Sequence, residues 1–184
     1  MRETACNIAQ VQPGQSAADI GAGTGFLTEE LLSRGLRIIA VDQSPAMLEL
    51  MQRKFLNTRD IDYKQARADE QVPLPNDFVD YAFANMYLHH VESPQGAIRE
   101  MARITKSGGR IVITDLDAHT YDFLREEHHD RLMGYERDDI MAWLTDAGLP
   151  DANIDCIVED CCGTSCDGTT SASISIFVAR GTKV

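Results

Sequence analysis

No window of the 184-residue sequence reaches about 18 consecutive apolar residues, so nothing in it reads as a membrane-spanning helix. The first ten residues, MRETACNIAQ, lack the apolar stretch of a secretory signal, and the expected location is the cytoplasm. Basic residues are scarce: 17 Lys and Arg face 29 Asp and Glu, a formal net charge of −12. Nucleic-acid binders neutralise phosphates with Lys and Arg, and no basic run occurs here, so DNA and RNA are not the expected partners. No internal repeat is present. The five cysteines are an odd number in a chain without an export signal, which argues against a disulfide framework.

What is present is an alternation of short apolar runs and amphipathic segments. Strands are predicted at 16–20, 37–41, 61–65, 78–84, 109–115, 154–159 and 174–180. Helices are predicted at 26–34, 45–56, 94–104 and 137–147. Pro45 suits a first helical position and Gly148 suits a C-terminal cap. This order predicts an α/β fold: a Rossmann-like, seven-stranded, mostly parallel sheet with helices on both faces. Only a loop separates the last two strands, too little for a parallel crossover, so the last strand should run antiparallel. The length fits one domain over 1–184, with 1–15 as a short leading segment and 160–172 as a Cys-rich loop.

The first strand runs into Asp19-Ile20-Gly21-Ala22-Gly23-Thr24-Gly25 and then a helix. Glycines let the backbone turn tightly and approach a ligand, and the helix start offers free N–H groups. The second strand ends at Asp42, where a carboxylate can accept hydrogen bonds from both hydroxyls of a ribose. A nicotinamide or flavin fingerprint would space its glycines G-x-G-x-x-G. Here Gly25 comes one residue early and Phe26 stands where that pattern wants glycine, which counts against a nucleotide-dependent oxidoreductase.

From Ala17 to about Arg110 the chain resembles the class I methyltransferases of the ubiquinone and menaquinone biosynthesis (type 11) family. The matching blocks fall in family order: ADIGAGTG (18–25), IIAVDQSPAML (38–48), VPLPNDFVDYAFANMYLHHV (72–91), REMARITKSGGRIVITD (99–115) and LMGYERDDIMAWLTDAGL (132–149). The resemblance implies S-adenosylmethionine as methyl donor. It places Gly21, Ala22 and Gly23 along the methionine part, with Gly25 completing the loop and Asp19 within reach of the ammonium. It places Asp42 on the ribose, Gln43 and Met47 beside the adenine, and Asn85 against the methionine moiety. The acidic residue that the family sets before its LPFP block falls on Ala68 or, one place on, Asp69. Family members often carry a few tens of residues before the first strand, against about fifteen here. An open pocket, one completed by a second copy in a homodimer, and a protein without activity are the outcomes that remain open.

Methyl transfer is an in-line displacement that needs alignment more than a catalytic group, and a base only where the acceptor must lose a proton. Candidates are His89, with His90 beside it, and Asp115, both after or at the ends of strands on the ligand rim. His119, His128 and His129 follow in a polar stretch. Cys161, Cys162 and Cys166 crowd into six residues and are candidate ligands for a soft metal or a metalloid such as trivalent arsenic. Their spacing is not an established zinc pattern. The segment Asn85-Met86-Tyr87 lacks the Asn/Asp-Pro-Pro-Tyr motif of amide and base methylases. With the negative charge, this points to a small-molecule acceptor. A donor-binding or metal-sensing protein without turnover is the alternative.

Overall fold

The computed structural model describes residues 1–67, 71–123, 131–164 and 170–184. Its elements are α1 (Arg2–Ala9), β1 (Ser16–Ile20), α2 (Phe26–Ser33), β2 (Arg37–Asp42), α3 (Pro45–Lys54), β3 (Ile61–Gln65), β4 (Val79–Asn85), a 3₁₀ turn (Leu88–His90), α4 (Pro94–Ile104), β5 (Thr105–Leu116), α5 (Arg137–Asp146), β6 (Asn153–Thr164) and β7 (Ser171–Thr182). They build one seven-stranded sheet of order β3-β2-β1-β4-β5-β7-β6. The first five strands are parallel; β7 runs antiparallel to both β5 and β6.

Each local choice has a visible cause. Ser44 and Ser93 cap α3 and α4 with their hydroxyls, accepting from the N–H of Met47 and Gly96, and each is followed by proline at the first helical position. Gly148 takes φ +91 beyond α5, the left-handed exit predicted for it. Alternate residues of the strands enter two separate cores. Ala17, Ile38, Ala40, Phe83 and Ile176 pack with Cys6 of α1, Leu31 of α2 and Met51 of α3. Ala18, Ile39, Val41, Ala82 and Ile113 pack with Ile98 of α4 and Ile140 and Leu144 of α5. Helices therefore cover both faces of the sheet.

Three features differ from or add to the sequence reading. Residues 1–15, read only as a short leading segment, contain a helix at 2–9 that buries Ala5, Cys6 and Ala9. Eight residues with so short and small an apolar stripe carry little periodic signal. The sixth strand is the sheet edge, and its one neighbour, β7, is antiparallel, as the short connection predicts. It still points the same way as β1–β5, because two antiparallel steps restore the direction. Finally, the Cys-rich segment is largely strand. Pairing of β6 with β7 continues past a register shift between Ile157 and Asp160 out to Thr164↔Ser171.

The register sets up the site. Ile20 pairs with both Val41 and Ala84, and Asn85 pairs with Thr114. The carboxyl ends of β1, β2, β4 and β5 thus finish at one level, the edge where open α/β sheets bind ligands.

Candidate active site

The loop after β1 is held by backbone bonds before any ligand arrives. The N–H groups of Gly21 and Ala22 donate to Val41 O at 2.9 and 3.0 Å, and Gly25 N donates to Ala22 O at 2.9 Å. Gly21 has φ +72, and a Cβ there would lie 2.1 Å from the Tyr87 ring, so this position excludes every other residue. A Cβ on Gly23 would meet nothing within 4 Å, which leaves its backbone open to the cleft.

Asp42 closes the arrangement. Gly23 N donates to its Oδ2 and Ser44 N to its Oδ1, each at 2.8 Å. The carboxylate is therefore fixed in orientation, and each oxygen keeps a second lone pair. Beside it lies a cleft of about 970 Å³, lined by Gly21, Gly23, Asp42, Gln43 and Met47 on the β1 and β2 side. Ala66, Arg67, Gln71 and Val72 line it after β3, and Tyr87, His90, Val91, Gly96, Ala97 and Glu100 on the β4 and α4 side. Met86, Ser93 and Arg131 also border it.

Five of the sequence-predicted positions thus line the cleft: Gly21, Gly23, Asp42, Gln43 and Met47. Four others do not. Ala22 and Gly25 are buried in the turn, and a Cβ on Gly25 would press on Phe55. Asn85 lies behind the rim, its Oδ1 accepting from Thr114 Oγ1 at 2.7 Å. Asp19 is buried under the loop and accepts from Thr28 Oγ1 at 2.5 Å. Burial raises its carboxyl to about 6, against the Thr28 hydrogen bond, which lowers it. Ala68 and Asp69 lie outside the described residues, as do Cys166, His128 and His129.

His89 and Asp115 do come together, but below the rim. His89 Nδ1 sits 2.7 Å from Asp115 Oδ1, and both side chains are buried. Asp115 also accepts from Leu88 N and Leu116 N, each at 2.8 Å. The carboxylate thereby pins the 3₁₀ turn to the end of β5. Tyr135 Oη donates to Leu88 O at 2.5 Å from the other side. Of the two histidines it is His90 that faces the cleft, with its ring centroid 4.0 Å from that of His89.

The expected metal or metalloid centre is not supported. Cys161 and Cys162 are consecutive residues of β6, so their side chains project to opposite faces of the sheet. Cys161 packs against one core face of the sheet while Cys162 is exposed. Among the described residues no group of three His, Cys, Asp or Glu side chains could hold an ion. No helix among them is long and apolar enough to cross a membrane.

Arg67, Tyr87, Gly96, Ala97, Glu100 and Arg131 were missed by the sequence reading. Tyr87 and His90 sit in the LHHV block and were within reach of it. Arg131 carries no local signal, since it reaches the cleft only through backbone bonds from Arg131 N and Leu132 N to His89 O at 3.0 and 3.1 Å.

Comparison with known proteins agrees with this fold. A methyltransferase domain family model matches residues 18–113, just over half of the chain. A demethylmenaquinone methyltransferase of Tropheryma whipplei (strain Twist) is 30% identical over 114 residues, 62% of this chain and 47% of that protein. The YcgJ protein of Bacillus subtilis has a similar fold, with TM-score 0.80 at 17% identity, covering 99% of this chain and 97% of its own. So does Haemonchus contortus phosphoethanolamine N-methyltransferase 2, solved with S-adenosyl-L-methionine, with TM-score 0.81 at 15% identity, covering 99% of this chain and 52% of that one. Fold and cleft define an α/β protein with a Rossmann-like sheet and an open cleft at the carboxyl edge of its parallel strands. The chain belongs to the methyltransferase domain family of the ubiquinone and menaquinone type. It spans about half the length of the demethylmenaquinone relative.

Proposed function

We propose that the protein transfers a methyl group from S-adenosylmethionine to a small-molecule acceptor. The observation that carries this reading is the Asp42 carboxylate, fixed by two backbone N–H groups beside the open face of Gly23, at the edge of a cleft large enough for a nucleoside and more. The residues present fit the donor. Asp42 keeps lone pairs for two ribose hydroxyls, Gln43 and Met47 flank the base, and Gly21 and Gly23 leave room for the methionine part. When bound, the donor supplies a methyl group on a sulfonium.

The chain's own contribution is alignment and water exclusion. His90 is the group placed to meet an acceptor proton. His89 and Asp115 act as positioning residues: the carboxylate holds His89 Nδ1, and the His89 ring backs His90. Asp19 supports α2 through Thr28 from behind the loop. The demethylmenaquinone methyltransferase of Tropheryma whipplei, as a relative, extends the reading to acceptors of the quinone type.

Isothermal titration with S-adenosylhomocysteine tests the donor site. Asp42→Ala should weaken binding by roughly tenfold or more, because two hydrogen-bond acceptors are lost at about 1 kcal/mol each. Unchanged affinity in a variant that melts normally would remove Asp42 from the donor site.

A further inference from the structure

The segment Val72-Pro73-Leu74-Pro75-Asn76 lies between β3 and β4 and belongs to neither. Two prolines in five residues remove two N–H donors and bar the segment from a helix or a central ladder, so its carbonyls need donors from elsewhere. Arg103, in the last turn of α4, supplies them. Its Nη2 donates to Val72 O and its Nη1 to Leu74 O and Asn76 Oδ1, each at 2.9 Å. Its Nε and Nη2 fork Glu100, each 2.9 Å from a carboxylate oxygen, and Glu100 Oε2 in turn accepts from Val72 N at 3.0 Å. Asp77 N donates to Arg103 O at 3.0 Å, which extends the hold to the start of β4. The Arg103 side chain is only 19% exposed, so this is not a screened surface pair.

What the clamp holds is a wall of the cleft. Ile20, Val41, Ala66, Val72 and Ala97 belong at once to the second core and to the cleft lining. They give the cleft an apolar surface continuous with the core, suited to a flat base. Ile20 and Val41 are placed by strands and Ala97 by a helix. Val72 has no such support, and the Glu100–Arg103 pair fixes its N–H and its carbonyl instead. Glu100 borders the cleft, and Arg103 stands behind it.

We propose that Arg103 is a positioning residue for the donor: with Glu100 it clamps residues 72–76 against α4 and so sets where Val72 stands in the part of the cleft that takes the adenine. The inference rests on the donor reading above, which puts the base beside Gln43 and Met47. Only a guanidinium meets all of these oxygens at once. A lysine keeps the charge but reaches them from a single nitrogen.

The test is calorimetry on the full-length protein, well below its melting temperature, with S-adenosylhomocysteine and with adenosine, which carries the base and ribose alone. Arg103→Lys should weaken both by the same factor, roughly fivefold or more. Val72→Ala, which trims the wall and leaves the clamp, should weaken both likewise. Arg137→Lys, a change in an ion pair remote from the cleft, should leave both affinities as in the wild type, which separates positioning from a general loss of stability. Hydrogen exchange of the Val72 and Leu74 amides should quicken in Arg103→Lys. Wild-type affinity in Arg103→Lys would overturn the proposal, as would a loss seen with S-adenosylhomocysteine and not with adenosine, or an equal loss in Arg137→Lys. Absence of heat from both ligands with the wild-type protein would instead bring down the donor reading, and this inference with it.

Discussion

Asp19 and Asp42 stand at the ends of adjacent strands, yet their surroundings give them different work. Asp42 is bound by two N–H groups at the cleft. Asp19 is enclosed, with Thr28 Oγ1 at 2.5 Å and its carboxyl raised by burial from 3.8 to about 6. A raised folded pKa means that the folded state binds the proton more tightly than the unfolded chain. The associated stability is therefore complete below about pH 4 and is lost as the pH rises through about 6. The loss amounts to about 2–3 kcal/mol at about 1.4 kcal/mol per pH unit. Asp19→Asn, which keeps an acceptor for Thr28, should abolish that decline. Urea unfolding at pH 4.5 and pH 7 would show it: the wild type should lose stability between the two relative to the variant. Parallel behaviour would mean that the Asp19 carboxyl is hydrated in solution.

Among the elements, the junction of β5, β7 and α5 rests on one ion cluster. Asp117 receives Arg137 Nε and Nη2 at 2.6 Å each and Ser175 Oγ at 2.5 Å, while Asp117 N donates to Ser175 O at 3.0 Å. Burial pushes its carboxyl up, but the Arg137 fork and Ser175 outweigh burial and lower it below the ordinary range. The sign is opposite to that of Asp19: this stability is present at neutral pH and lost as the pH falls. Arg137→Lys keeps the charge and loses the fork. It should cost about 1 kcal/mol, a modest value because Arg137 is 38% exposed and partly screened. A thermal melt at pH 7 measures this, and an unchanged midpoint would assign the cluster no net stabilising role. The cluster also marks where periodicity stops being informative. The helix and strand ranges from 16 to 116 were legible because proline, serine and glycine punctuate a regular alternation of apolar runs. The extension of β6 and β7 through Cys161, Cys162 and Ser171 was not. Small polar residues with cysteine look like a loop, and only pairing across the hairpin makes them strand. Helix α1 was hidden for a related reason: alanine and cysteine fill its stripe, and packing against α2 and β5, rather than propensity, holds it.

At the scale of the whole molecule, topology converts a linear motif into a site. Asp42 and the Gly21–Gly25 turn are 17 to 21 residues apart, and parallel pairing of β1 with β2 brings them to a hydrogen bond. That much was readable, because strand, glycine turn, helix and strand-end acid form a local unit. The rest of the cleft lining was not readable: Arg67, His90 and Arg131 come from three separate segments, and only the folded chain brings them to one cleft. His89 and Asp115 were separate candidates in the sequence; their contact and their burial, which no residue pattern reveals, place them beneath the cleft rather than in it.

The central claim is that Asp42 and the glycine turn hold the ribose of an adenosyl donor. A crystal structure of the protein with S-adenosylhomocysteine tests it most directly. The account predicts both ribose hydroxyls within hydrogen-bonding distance of the Asp42 carboxylate and the methionine part over Gly21 and Gly23. A nucleoside bound elsewhere, or a cleft left empty at saturating ligand, would contradict it.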